Sequence, residues 1–376
     1  MIFGISLVLL VYGGANVYIG HRLYRWGTLL LPSMNAWVFA YIYGIIALTF
    51  LLAFAPLPKG INDVATTFGS YWMGIFIYLF LCIAVVDILV GIGALTGIIP
   101  KPVPDIVRFW AGLSSILMTI SFVTYGIYNA TIIKEVRYDI QLKEGVTSPN
   151  LKMVMLSDLH LGAVRSETRL EEIVERVNTM EPDIIVIPGD IFNDDFTAIQ
   201  DPKRVSDLFK QLKATYGVYG TLGNHDGGKT FSQMVQLLEE SNITLLNDEY
   251  VVIDDKLALV GRVDPSPIGG FNGLKRQDVS HLLKEIDSSM PTIVLDHTPS
   301  NLEQYSNDVD LILSGHTHRG QIFPGSLITN LVFEVDYGHF QKNADSPQII
   351  VTSGVGTWGM PMRVGTNNEI VEIYIK

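Results

Sequence analysis

The sequence predicts an α/β protein: a layered sandwich with two facing sheets, preceded by a four-helix transmembrane region. Three observations predict it. Residues 1–133 contain no Glu, and their only Asp, Lys and Arg residues are Arg22, Arg25, Lys59, Asp63, Asp87, Lys101, Asp105 and Arg108. From residue 134 onward, short β-branched runs first alternate with amphipathic helical stretches and then crowd together. Five short motifs rich in Asp, His and Asn each stand at the end of such a run.

Four apolar segments, roughly 2–20, 36–56, 71–99 and 106–132, approach or exceed the about 20 residues that a helix needs to cross a bilayer. Four core helices of a soluble domain would not carry so few charges. The first segment lacks a basic start and a small-x-small cleavage site, so it reads as an anchor rather than a cleaved signal. Residues 21–26 are expected to join the first two spans, 56–60 to end the second and 100–104 to separate the third from the fourth. Asp87, inside the third span, reads as a carboxylate that faces the bundle interior, protonated or hydrogen-bonded, and fixes helix packing. Gly93-x-x-x-Gly97 reads as a helix-contact pattern. The single cysteine, Cys82, excludes a disulfide within the chain and a thiolate zinc site. Arg22, Arg25, Lys101 and Arg108 flank one face of this region, and the N-terminus carries no basic side chain. Lys59, Lys134, Arg137 and Lys143 pull the other way, but the last three precede a long domain and count for little. With four spans, the segment from 134 is expected outside the cytoplasm.

Residues 134–150 are expected to form a connecting strand and linker, with Val136, Tyr138, Ile140 and Leu142 alternating with polar residues and a polar turn over 143–150. The sandwich domain takes 151–376. It opens with strand 153–156 and a helix over 167–180, where Leu170, Ile173, Val174 and Val177 share one face. Strand 183–187, helix 201–213, strand 218–222 and helix 230–241 follow. Strands 251–253, 257–260, 292–295, 311–313, 349–352 and 370–375 come next, with a helix over 277–288 between them. Nearly all the acidity behind the formal net charge of −12 belongs to residues 134–376, and no dense basic run occurs, so no nucleic-acid partner is expected.

The motifs are Asp158-Leu159-His160, Gly189-Asp190, Gly223-Asn224-His225-Asp226, His297 and Gly315-His316-Thr317-His318. Singly they are weak, because Asp-x-His is usually a surface turn and Gly-Asp a turn after a strand. Five in this order, each after a strand, leave coincidence little room. Groups at the ends of adjacent strands converge on one point. A phosphate ester repels nucleophiles, and two divalent metals about 3.5–4 Å apart overcome that by clamping its oxygens and acidifying a water. They require hard oxygen and imidazole donors and one shared carboxylate. Asp158 and His160 can reach one metal, Asp190 is the natural bridge, and Asn224 offers a carboxamide oxygen to the second. His316 and His318 fall one on each metal, with His297 nearby.

This ordered set, over about residues 150–376, resembles the calcineurin-like metallophosphoesterase superfamily. Residues 315–322 and 356–363 resemble its membrane-associated, phosphodiesterase-like branch with N-terminal transmembrane helices. The resemblance implies a four-layer α/β/β/α sandwich and two divalent metal ions, Mn²⁺ first, with Fe or Zn also fitting. It implies a first metal held by Asp158, His160, Asp190 and His318, and a second held by Asp190, Asn224, His297 and His316. His225 would face the leaving group as the catalytic acid or as a transition-state stabiliser, with Asp226 orienting it. One departure stands out: the final Asp of the family's Gly-Asp-x-x-Asp is Asn193 here, with Asp194 beside it. Arg319 either grips a substrate phosphate or forms a structural salt bridge. Arg363 reads as structural, Trp358 as lining the cleft or packing, Gly227-Gly228 as a turn, and His21, His281 and His339 as ordinary.

The expected function is that of a membrane-anchored, two-metal-dependent phosphoesterase acting on a phosphodiester or pyrophosphate. A lipid or cell-envelope substrate is favoured because the spans hold the site near the bilayer, and the attacking group would be a metal-bridging hydroxide. A phosphomonoesterase or protein phosphatase is the alternative among enzymes. A non-catalytic membrane sensor or scaffold is the alternative outside them. A transporter is disfavoured, since the spans offer only Asp87 as an ionisable group. The expected location is the plasma membrane of a bacterium, with the catalytic domain extracytoplasmic.

Overall fold

The computed structural model describes residues 2–376 apart from 56, 143–149, 306–307 and 345. The polar turn expected over 143–150 therefore lies, Asn150 aside, outside the described residues. The chain divides into two compact units, Met1–Tyr128 and Asn129–Lys376.

The first unit is built on α1 (Ile2–Leu30), α2 (Ala36–Leu52), α3 (Lys59–Leu95) and α4 (Asp105–Asn129). The loop expected at 21–26 is helical. His, Arg, Leu, Tyr and Trp all tolerate a helix, and the first proline comes only at Pro32. The turn falls at 31–35 instead, where the Asn35 side chain caps α2 by accepting from the Trp37 and Val38 N–H groups. The 37 residues of α3, at about 1.5 Å each, outrun a hydrocarbon core of about 30 Å. Only α3 and α4, among the described residues, are long and apolar enough by a length-and-composition test to cross a bilayer. At 17 residues, α2 sits at the short limit of a span. Gly97 does not join Gly93 on a helix face. It lies past the end of α3 at φ 78°, and Ile99 N–H donates back to Gly93 O at 2.9 Å, so the pair forms a helix stop. Asp87 does face the interior, where it is ion-paired with Arg22 and accepts from Tyr18 Oη at 2.6 Å.

The second unit opens with β1 (Ile133–Ile140), β2 (Leu151–Met155), α5 (Ser166–Thr179), β3 (Ile184–Pro188), α6 (Pro202–Phe209), β4 (Val218–Thr221), α7 (Phe231–Glu240) and β5 (Ile243–Leu245). Next come β6 (Glu249–Ile253), β7 (Leu257–Gly261), α8 (Val279–Leu283), β8 (Thr292–Leu295) and β9 (Leu311–Ser314). The chain closes with α9 (Gly325–Val332), β10 (Gly338–Gln341), β11 (Gln348–Val351) and β12 (Asn368–Ile375). Two six-stranded sheets result, in the orders β1-β12-β2-β3-β4-β5 and β10-β11-β9-β8-β7-β6.

Met153, Met155, Val186, Leu259, Leu313 and Ile373 fill the space between the sheets. The outer face of the first sheet packs Ile185 and Ile187 against Leu170, Val174, Phe209 and Leu237 from α5, α6 and α7. β3 and β7 are buried along their whole length, as unbroken apolar runs covered on both faces must be. The outer face of the second sheet is covered more thinly, by Val279 of α8 and by Tyr305 and Val309. The helix expected over 277–288 shrinks to α8. Beyond Leu283 the chain continues through turns such as Glu285 N–H to Leu282 O and Ile286 N–H to Leu283 O. β5, α9 and β10 have no counterpart in the sequence reading. β5 is three residues long, β10 is mostly exposed, and no residue of α9 is buried, so none carries a core-facing pattern.

What matters for the site is direction. β2, β3 and β4 run parallel in the first sheet, and β8 and β9 run parallel in the second. Each of these five strands is followed by one motif.

Candidate metal centre

The five loops bring their side chains together from both sheets. Asp158, His160 and His318 offer ligand atoms that all lie within 4.8 Å of one another, and so do Asp190, His297 and His316. In the first group His160 Nε2 is 3.0 Å from His318 Nε2, and His318 Nε2 is 3.4 Å from Asp158 Oδ1. In the second, His297 Nε2 is 3.1 Å from Asp190 Oδ2. That same Asp190 oxygen is 3.8 Å from His160 Nε2, so it stands between the two groups. Asn224 Oδ1 joins the second group at 2.8 Å from His316 Nδ1. All seven residues singled out as ligands from the sequence are thus brought together.

The backbone holds them in unusual conformations. Asp158, His160, Asp190, His316 and His318 all have positive φ, between 48° and 71°, in the region that Asp, Asn and His tolerate best among non-glycine residues. Close approach also demands glycine at three of the motif positions, Gly189, Gly223 and Gly315. A Cβ at Gly223 would run into the Asp190 N–H and carboxylate, and one at Gly315 into the Asp158 carboxylate and Ser157 Oγ.

The donor set fits divalent cations. Asp158 Oδ2 and His160 Nδ1 are buried and have no hydrogen-bond partner, a costly state for polar atoms. His297 Nδ1 lies 2.8 Å from Pro188 O, which makes Nδ1 a donor and turns Nε2 inward toward Asp190 Oδ2. Burial holds His160 near 3 and His318 well below its ordinary value, with the neighbouring ring adding to it. Burial and His297 bring His316 down to about 4. Neutral imidazoles are what a cation binds; His297 differs, because burial disfavours its charged form but Asp190 and Asp158 outweigh it and raise its pKa well above the ordinary value. Burial disfavours ionised Asp190 too, but His297 outweighs it and keeps this carboxyl ionised. Burial, with Asp190 adding, pushes Asp158 up to about 6. Packed so closely, the two carboxylates need positive charge between them.

A family model described as calcineurin-like phosphoesterase matches residues 151–320. An uncharacterized metallophosphoesterase from Campylobacter jejuni is 30% identical over 98% of this chain and 97% of its own length. The chain belongs to the calcineurin-like metallophosphoesterases. A bovine transmembrane protein with metallophosphoesterase domain is 34% identical over 60% of this chain, and the match spans 53% of the bovine chain. Among solved structures, Haemophilus influenzae NAD nucleotidase superposes with a TM-score of 0.38 at 17% identity, covering 55% of this chain and 45% of that one.

Within this metallophosphoesterase the environment of His225 corrects one expectation. Asp226 does not touch His225. Its two oxygens accept from Phe192 N–H and Gly223 N–H, each at 2.7 Å, and so tie the loops after β3 and β4 together. The His225 ring is oriented by Asp194, whose Oδ1 is 2.8 Å from His225 Nδ1, while Asp194 N–H donates to His225 O at 3.0 Å. Residues 225 and 226 are adjacent, so their side chains diverge, and the bond to the imidazole comes from the neighbouring loop. Asp194 is the residue displaced by one from the family's usual Asp, and that displacement was the available signal. Burial disfavours charged His225, but Asp194 and Asp190 outweigh it and raise its pKa.

The rim is built by residues the sequence reading left open. Arg319 makes no salt bridge among the described residues. Its guanidinium stacks 4.3 Å from the Tyr337 ring centre, which leaves its N–H edge free for an anion. Trp358 is 49% exposed, and its ring lies 5.7 Å from that of His225, so it lines the cleft. Gln321, which the sequence reading missed, pins Trp358 by accepting from its N–H and donating to its carbonyl, both at 2.8 Å. Arg363 is fully buried and donates to the carbonyls of Ser353, Gly356 and His318. It is structural, and it fixes the loop that carries His318.

Asp194 and Asp226 should therefore separate cleanly on substitution. Asp194→Asn should lower kcat for phosphoester hydrolysis by roughly 10- to 100-fold, a fraction of the usual acid–base contribution, with the melting temperature held. Asp226→Ala should cost roughly 1–3 kcal/mol of stability by orphaning two buried N–H groups, read by thermal and denaturant unfolding. A stability loss in Asp194→Asn with unchanged kcat would reverse the two roles.

Proposed function

We propose that this chain is a membrane-anchored hydrolase of phosphodiesters or pyrophosphates, dependent on two divalent cations. The observation that carries the reading is Asp190 Oδ2, set between two groups of imidazoles and carboxylates. Asp158, His160, Asp190 and His318 would hold one cation, and Asp190, Asn224, His297 and His316 the other. Mn²⁺ is the favoured ion for this oxygen and imidazole set. When bound, such a pair neutralises the charge of the phosphate and acidifies a water molecule. The protein's own part is positioning and proton transfer. His225, held by Asp194, donates a proton to the leaving oxygen. Arg319 grips a non-reacting phosphate oxygen through its free edge. Trp358 closes the side of the cleft next to His225 and limits water.

An amphiphilic substrate, a lipid or another cell-envelope phosphoester, is supported by α9. This helix begins five residues after Gly320 on the His316-His318 loop. It exposes Leu327, Ile328, Leu331 and Val332 at 58–87%, and Phe333, just past its end, packs edge-on to His316 at 5.6 Å. An apolar face beside a phosphoesterase site suits acyl chains. Membrane anchoring is supported by α3 and α4, by the apolar exteriors of α1 and α2 and by the likeness to the bovine transmembrane protein. Four crossings, with the Arg22, Arg25, Lys101 and Arg108 end cytoplasmic, would place the segment from residue 134 outside a bacterial plasma membrane.

Three outcomes are expected. Full-length Asp190→Ala, purified with Mn²⁺, should lose bound metal and hydrolysis of chromogenic diesters while keeping its fold. Two metal equivalents and near wild-type turnover in that variant would overturn the ligand assignment. Leu327→Ser with Leu331→Ser should lower turnover of a micellar phospholipid diester several-fold and leave a small soluble diester unchanged. Equal losses on both substrates, or faster turnover of soluble monoesters than of either diester, would refute an amphiphilic diester. Protease added to spheroplasts should digest the catalytic unit. Protection until the membrane is permeabilised would reverse the orientation.

A further inference from the structure

The first unit contains a cavity of about 670 Å³ that the phosphoesterase reading does not use. It opens among α1, α3 and α4, and its lining includes Arg22, Arg25, Trp26, Asp87, Gly91 and Arg108. Three guanidinium groups thus meet one carboxylate. Asp87 is taken by Arg22. Arg108 reaches Asp105 at 3.1 Å, an exposed residue that does not line the cavity. Arg25 has no ion-pair or hydrogen-bond partner for its guanidinium among the described residues. The lining therefore carries an uncompensated positive charge.

Its depth is informative. Arg25 lies five residues before Leu30, where α1 ends, and Arg108 three residues after Asp105, where α4 begins. At about 1.5 Å per residue, both stand within about 8 Å of their helix ends, the depth of lipid headgroups. Asp87 and Arg22 each lie eight residues inside their helices, about 12 Å down, so the cavity reaches below the headgroups toward the acyl chains. Trp26 holds the wall between α1 and α4 by donating to Phe109 O at 3.0 Å. Gly91 keeps part of the space open, since a Cβ there would meet nothing within 4 Å.

We propose that this cavity binds a phosphate-bearing anion, the headgroup of an anionic phospholipid, with Arg25 and Arg108 as the principal contacts. Arginine forks match phosphate oxygens in pairs, and basic pockets between membrane helices suit such headgroups. The volume is that of a small-molecule site. The proposal rests on the reading that this unit lies in a bilayer.

The test uses full-length protein in mild detergent, titrated with phosphatidylglycerol or phosphatidylcholine and followed by native mass spectrometry. Wild type should retain one phosphatidylglycerol at least tenfold more tightly than phosphatidylcholine. Arg25→Gln with Arg108→Gln should abolish that preference. So should Gly91→Leu, which fills the cavity without altering charge. Arg22 is left alone because its loss would strand Asp87. In a second arm, displacement of the lipid by millimolar inorganic phosphate would assign the site to the phosphate group alone. Failure to displace would assign it to the headgroup with its chains. Either result supports a phosphate site. Equal retention of the two lipids by wild type, or unchanged preference in both variants with normal melting curves, would overturn it. Alkaline carbonate extraction of the same membranes separates the premise: a chain released by carbonate refutes the bilayer reading itself, whereas a retained chain without lipid preference refutes only the cavity.

Discussion

Asp190 projects one carboxylate oxygen to within 3.1 Å of His297 from the second sheet and 3.8 Å of His160 from the first. Around that atom, groups that would individually prefer water are packed without it. Asp158 and Asp190 repel one another at close range, four imidazoles are buried, and several of their polar atoms have no protein partner. Such a cluster is a liability in a protein interior unless multivalent positive charge is supplied. The fold accepts it because the two sheets, stacked face to face on an apolar core, hold the strand ends rigidly enough that the loops cannot relax apart.

That rigidity is visible in the loops themselves. Buried strands such as β3 deliver the chain to the edge of the sheet in one direction, and the next residues enter the left-handed region, where Asp and His are tolerated. Gly223 and Gly315 then let one loop touch the next, because any side chain there would displace Asp190 or Asp158. Asp226 and Arg363 complete the frame from below, one tying N–H groups and the other tying carbonyls. Neither reaches toward substrate, and both are needed for residues that do.

The helical unit follows a different economy of charge. Arg22, Arg25, Asp87, Lys101, Asp105 and Arg108 gather toward one end, where α1 and α3 finish and α4 starts, while Lys59 and Asp63 stand at the start of α3. Their sum is positive because Asp87 pairs with Arg22 and Asp105 with Arg108, which leaves Arg25 and Lys101 over. In water this would be unremarkable. On the proposed reading that this unit lies in a bilayer, an uncompensated guanidinium beside an open cavity favours an anionic occupant.

The sequence by itself determined the α/β class, the two-part organisation of its composition and all seven residues that converge on the centre. These were legible because each is a local signal: an apolar run sets a strand, and a short polar motif at its end sets a loop. The tertiary structure alone decided what depends on contacts between distant segments or on the direction of a side chain. It replaced Asp226 by Asp194 as the partner of His225, since adjacent side chains diverge and the imidazole meets the neighbouring loop. It carried α1 through Arg22 and Arg25, so that Arg22 could reach Asp87 across the bundle. It set Gly97 in a turn instead of on a helix face. It also placed β12 between β1 and β2, a pairing of residues more than 200 positions apart along the chain, which no local periodicity encodes.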